Sequence, residues 1–105
     1  MAKIIIRDDF TKTPGGRWKK LGPYSGEEFF DTILETKYIE AREKNEELFI
    51  DLDGVTGYPS SFRDQSFGEL GRKYGGEEVL KICKFKSEDT PSYIEDMKRT
   101  VLGEK

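Results

Sequence analysis

Residues 48–70, LFIDLDGVTGYPSSFRDQSFGEL, hold the side chains best placed to do chemistry. Two carboxylates, Asp51 and Asp53, stand two residues apart at the end of an apolar run. Two hydroxyls, Ser60 and Ser61, follow a loop marked by Gly54, Gly57 and Pro59. The run predicts a buried strand, and the serines predict a helix start. There the backbone N–H groups point outward and the helix dipole is positive. Two functions are compatible with such a segment: a protein-docking module regulated by phosphorylation, and a phosphotransferase with a nucleophilic aspartate.

The chain around this segment is short. Its 105 residues predict a single domain over 1–105. Ile, Leu, Val and Phe number 25, enough for one modest core although 37% of the residues are charged. The sequence contains no run of 18 apolar residues, and the opening MAKIIIRDDF is too briefly apolar for a signal peptide, so a cytoplasmic protein is expected. The absence of histidine and a single cysteine, Cys83, argue against a zinc site, and neither a metal nor a cofactor is expected. Cys83 lies in an apolar alternating run and is expected to pack rather than react.

Charge is unevenly spread. Residues 1–25 carry six basic and two acidic side chains, residues 26–54 three basic and ten acidic, and residues 55–105 nine of each. The first block contains Arg17, Trp18, Lys19 and Lys20, a basic run around an aromatic that suits phosphate or RNA. A solvated, edge-protecting strand face explains the same residues more simply, which leaves nucleic-acid binding as the weakest reading.

Several elements must position the segment. Lys3–Arg7 reads as a strand, TKTPGG at 11–16 as a turn, and Arg17–Leu21 as a second strand returning antiparallel in an N-terminal hairpin. Ser25 and Glu28 form a capping box before an amphipathic helix that runs to about Lys44, with Phe30, Ile33, Leu34, Tyr38 and Ala41 on its apolar face. Leu48–Leu52 is the third strand, and a second helix runs from Ser61 to Tyr74, capped by Ser61 in an S-x-x-D box with Asp64. Gly68 and Gly71 inside that helix imply a close approach, since each costs about 1 kcal/mol against alanine. Val79–Phe85 alternates as a fourth strand, and Thr90-Pro91 opens a last helix. The expected fold is α/β: a small mixed sheet with the hairpin, and three helices packed mainly on one face. Phe30, Ile33, Leu34, Ile50, Leu52, Phe67, Leu70, Ile82 and Phe85 are the expected core.

Phe49-Ile50-Asp51-Leu52-Asp53-Gly54-Val55 resembles the first motif of haloacid-dehalogenase-type phosphatases. The resemblance implies Asp51 as nucleophile toward phosphorus and Asp53 as general acid. In that family the motif ordinarily opens the chain, whereas here about half of the domain precedes it. Only 50 residues follow Val55 to supply the other strands, a phosphate-binding lysine and a distal acidic pair for Mg²⁺. Glu88-Asp89 is an acidic pair without matching architecture. Turn-capping by the two aspartates at a strand end explains the same pattern.

Read from the serines, the segment resembles the hallmark of STAS domains (sulfate transporter and anti-sigma factor antagonist), in which a strand leads through D-S-S-G into a helix. The whole chain is more closely similar to a bacterial STAS-like domain of unknown function. Pro14-Gly15-Gly16-Arg17, Ser25-Gly26-Glu27-Glu28-Phe29, Ser60-Ser61-Phe62, Asp64 and Phe67-Gly68-Glu69-Leu70 carry that likeness over nearly the full length. Pro59 stands where the antagonists have aspartate, and Phe62 where they have glycine. The resemblance implies a non-enzymatic signalling module. A kinase-like, ATP-binding anti-sigma factor would dock at the second helix and phosphorylate Ser61, or its neighbour Ser60. Tyr58, Pro59, Ser60, Ser61, Phe62, Arg63 and Glu69 would form the docking face; a membrane partner is not expected, and a homo-oligomer is compatible with the sequence. Arg17 could hold an anion, although a salt bridge to the acidic first helix is the preferred reading.

Overall fold

The computed structural model describes residues 2–104. Three strands, β1 (Ala2–Ile5), β2 (Leu48–Asp51) and β3 (Cys83–Lys86), form one sheet in the order β1-β2-β3, and both pairs are parallel. Among the described residues five helices complete the fold: α1 (Ile6–Asp9), α2 (26–43), α3 (60–74), α4 (Gly76–Ile82) and α5 (Ser92–Leu102). Both long helices contain a π turn, Phe30–Leu34 in α2 and Asp64–Gly68 in α3.

The strands follow sequence order across the sheet, each linked to the next by helices. Since such crossovers are almost always right-handed, both connections fall on the same face. Register and burial agree. Ile4 and Ile50 pair in line with Phe85, and Leu48 with Cys83; Ile4, Leu48 and Ile50 are fully buried. The neighbouring row, Lys3, Phe49 and Lys84, faces the other way, with both lysines exposed and Phe49 half-buried. Lys3 lies over the Phe49 ring at 5.9 Å. The helices thus cover one face, as the sequence predicts.

The expected N-terminal hairpin does not form, and the sheet is parallel rather than mixed. The backbone of residues 15–17 is committed elsewhere: Gly15 N donates to Tyr24 O, while the carbonyls of Gly16 and Arg17 accept from Gly26 and Glu27 at 2.8 and 3.0 Å. Those two amides belong to the first turn of α2 and would otherwise lack partners. A Cβ at Gly15 would stand 2.5 Å from Pro23 O, so the crossing needs glycine. Residues 17–21 therefore form a loop with a 3-10 turn at Lys19–Leu21.

The fourth strand is also corrected. Gly75, at φ 93°, closes α3 and opens α4, so 76–82 is helical and only Cys83–Lys86 is strand. Five helices stand where three were expected. β1 likewise stops at Ile5, where the chain turns into α1.

The core centres on aromatics. Phe29, Phe62 and Phe67 are fully buried, with ring centroids 5.8 Å apart for Phe29–Phe62 and 5.7 Å for Phe29–Phe67. Phe30, Leu34, Ile50, Leu52, Phe67 and Leu70 are buried as expected, whereas Ile33, Ile82 and Phe85 only pack partly against that core. The expected cap at α2 is present: Ser25 Oγ accepts from Glu28 N at 3.0 Å, and Glu28 Oε1 reaches back to Tyr24 N at 3.0 Å. The expected close approach at Gly71 is present too, where a Cβ would overlap the backbone carbonyl of Val101.

Candidate functional site

The start of α3 is the place the sequence singles out. Pro59 precedes the helix in extended geometry, and no side chain caps it. Ser60 is its first residue and Ser61 the second, so Ser61 is not the N-cap and the S-x-x-D box does not form. The helix begins earlier than expected: Pro59 O accepts from Arg63 N at 3.0 Å, which makes Pro59 the N-cap, and the Asp64 carboxylate is engaged by Arg17 and Arg72 instead. Ser60 is exposed and Ser61 half-buried.

Two residues expected on the docking face lie beneath it. Phe62 is fully buried in the aromatic core. Tyr58 is 7% exposed, and its hydroxyl donates to Leu52 O at 2.8 Å, with burial pushing its pKa upward. Both serve as support, because an aromatic ring gains more from the core than from a wet rim. Pro59 and Ser60 are exposed, with Arg63 and Glu69 partly so.

Ser60 and Arg63 lie one turn apart on α3, and both line a groove of about 710 Å³ between α3 and α5. Arg63 reaches Asp96 of α5 at 3.3 Å, and Arg99 donates to the same carboxylate at 2.8 Å. On the other wall Arg72 donates to Asp64 Oδ1 at 2.9 Å and, through its second nitrogen, to the Asp64 carbonyl at 2.9 Å. Arg17 binds the other oxygen of Asp64. Hydrogen bonds from Arg17 and then Arg72 hold the Asp64 carboxyl below its ordinary pKa, against the opposing effect of burial. Arg63 Nε is buried without a hydrogen-bond partner among the described residues. Arg72, Asp96 and Arg99 were missed in the sequence; only their convergence in space marks them.

Arg17 therefore makes a salt bridge, but to α3 and not to the acidic α2. It is Lys19 that meets α2, through Asp31 at 2.8 Å, and its amide donates to Glu27. Trp18 is exposed beside it, together with Leu21 and Tyr24.

Asp51 and Asp53 lie at the C-terminal end of β2, where the loops of a parallel sheet converge. Asp51 Oδ1 accepts from Asp53 N at 2.9 Å, closing an Asx turn. Arg7 reaches Asp51 Oδ2 at 3.2 Å and Lys86 reaches it at 3.6 Å. Asp53 accepts from the amides of Glu88 and Asp89 at 2.8 and 2.9 Å, and Lys86 lies 3.3 Å from it. The Asp89 amide first, then Glu88 and Lys86, hold the Asp53 carboxyl below its ordinary pKa. The pair thus fastens the β2 and β3 ends together.

A parallel three-stranded α/β domain with its helices on one face and a serine at the start of α3 defines the class of molecule. The chain belongs to the family described as a STAS-like domain of unknown function, whose model matches residues 25–93. No curated protein and no solved structure gives a significant match. Among the described residues no helix is long and apolar enough to cross a membrane.

Proposed function

We propose that this chain is a non-enzymatic protein-interaction module whose partner docks over the start of α3, and that phosphorylation of Ser60 controls the docking. The observation that carries this is the position of Ser60: exposed, first in a long helix, and flanked by exposed Thr56 and Pro59. Ser61, half-buried, is the lesser candidate. Tyr58 and Phe62 hold the surface rigid from below, while Pro59, Ser60, Arg63 and Glu69 present it. The antagonist-like members of the wider STAS group suggest a kinase-like, ATP-binding regulator as the partner. A phosphate brings about 1.5 to 2 negative charges into a surface that must lose water on docking. Stripping water from that charge under a partner that offers it no cation costs several kcal/mol, which favours release.

Engagement of both aspartates by backbone amides and by Arg7 and Lys86 supports docking over phosphoryl transfer. A nucleophilic Asp51 would first have to break these contacts.

The test pairs the purified chain with a kinase-like regulator encoded by a neighbouring gene. Ser60→Asp should weaken binding about a hundredfold, or about 3 kcal/mol, with the melting curve nearly unchanged. Mass spectrometry after incubation with ATP should place the phosphate on Ser60. If Ser60→Asp binds like the wild type and no serine is modified, the switch is refuted. Mg²⁺-dependent release of phosphate from an aryl phosphate, abolished in Asp51→Asn, would establish the enzymatic reading instead.

A further inference from the structure

We infer that the groove between α3 and α5 is a binding site for a phosphoryl dianion. Arg63, Arg72 and Arg99 line it, and Arg17 stands behind Asp64. The four guanidiniums share two central carboxylates, Asp64 and Asp96, each held between two arginines. That arrangement fixes the orientation of four planar forks, which is what makes arginine suited to phosphate. Each guanidinium carries five N–H donors, and two carboxylates cannot occupy them. Arg63 is the least satisfied: one terminal nitrogen reaches Asp96 at 3.3 Å, and its buried Nε has no hydrogen-bond partner among the described residues.

The acidic groups around the groove do not close it to an anion. Asp64 and Asp96 are each bridged on two sides. Glu69 lies 3.8 Å from Arg72 at the edge, and Glu104, just past α5, lines the groove but is exposed, where water screens its charge. The cavity has the volume of a small-molecule site, larger than a phosphate alone requires. Ser60 is one of its lining residues, on the same helical face as Arg63. The dianion can therefore arrive free, as phosphate or a phosphate ester, or attached to Ser60.

Two arms distinguish these sources. In the first, ¹⁵N-labelled wild-type protein is titrated with inorganic phosphate at constant ionic strength, with chloride as control. Saturable shifts are expected in residues 60–64, 72 and 96–103. Arg99→Gln, at an exposed position that leaves the core untouched, should weaken binding at least tenfold. In the second, phosphoserine is installed at position 60 and followed by ³¹P titration. Capture by the arginines should pull its second pKa below the free value of about 6 and prevent free phosphate from binding.

Binding of free phosphate with an unperturbed phosphoserine would assign the groove to a diffusible ligand. A perturbed phosphoserine without free binding would assign it to Ser60. No saturable shift in the first arm and an ordinary pKa in the second would overturn the proposal, as would shifts that persist in Arg99→Gln. Neither arm uses the docking partner, so this site and the proposed switch fail independently.

Discussion

Gly71 in α3 and Val101 in α5 meet through backbone alone, with no side chain between them. This contact sets how closely the two helices lie, and so sets the width of the arginine-lined groove. It also explains why a helix interior tolerates a residue of poor helix propensity.

Gly71→Ala should therefore destabilise the protein. Alanine would gain about 1 kcal/mol of helix propensity, but its Cβ meets a backbone oxygen that cannot swing aside. Overpacking typically costs about 1–3 kcal/mol, and overlap with a backbone oxygen belongs in the upper part of that range, about 2–3, so a net loss of about 1–2 kcal/mol is expected. Urea denaturation measures it; a midpoint equal to or above the wild type would refute the contact.

The serines at helix starts should separate cleanly. Ser25→Ala removes a buried cap of the Glu28 amide and should cost about 1 kcal/mol or more. Ser61→Ala removes no cap and should stay within about 0.5 kcal/mol of wild type. Thermal melts of the two variants side by side decide this.

Tyr58 and Phe62 should report on folding before they report on any partner. Tyr58→Phe strands the buried Leu52 carbonyl and should cost about 1–2 kcal/mol. Phe62→Ala empties the centre of the aromatic cluster and should cost about 3–5 kcal/mol. A Phe62→Ala protein as stable as wild type would return that ring to the surface.

Acid should unfold the protein through its engaged carboxylates. Asp53 and Asp64 have folded pKa values below the ordinary range, and so does Glu35 of α2, which accepts hydrogen bonds from Lys73 and from the Tyr74 hydroxyl of α3. Their stabilisation is fully present above the unfolded values, near pH 4, and is lost as pH falls through the folded ones. Circular dichroism at graded pH should show stability falling below about pH 4. Asp53→Asn should lower the neutral plateau and flatten that fall, and an unchanged acid profile would contradict the assignment.

Much of this was legible where a local rule and the global fold agree. Ser25 and Glu28 announce the α2 start, and the apolar positions from Phe30 to Ala41 announce its buried face. Residues 79–85 were ambiguous for a physical reason. Val79, Leu80, Ile82 and Cys83 fit both an alternating strand and a short helix, and the positive φ of Gly75 decided for the helix. Residues 17–21 misled because strand-like composition says nothing about where the backbone amides and carbonyls are used. The groove was illegible because Arg63 and Arg99 are distant in sequence and belong to different helices. Their meeting depends on the α3–α5 packing.

The π turns of α2 and α3 carry a consequence for chain length. A π turn is an α-helix holding one extra residue, and each residue advances an α-helix by about 100°. Excising Gln65 would let α3 relax to a regular helix with Arg72 near its present phase relative to Arg63, because the residue removed and the extra residue of the π turn cancel. Leu70 and Gly71 would keep their facing in the same way. The spacing between Ser60 and Arg72 is thus a matter of counting as well as chemistry: one deletion within 64–68 should be tolerated far better than one that leaves the π turn in place, which would turn Arg72 by about 100°.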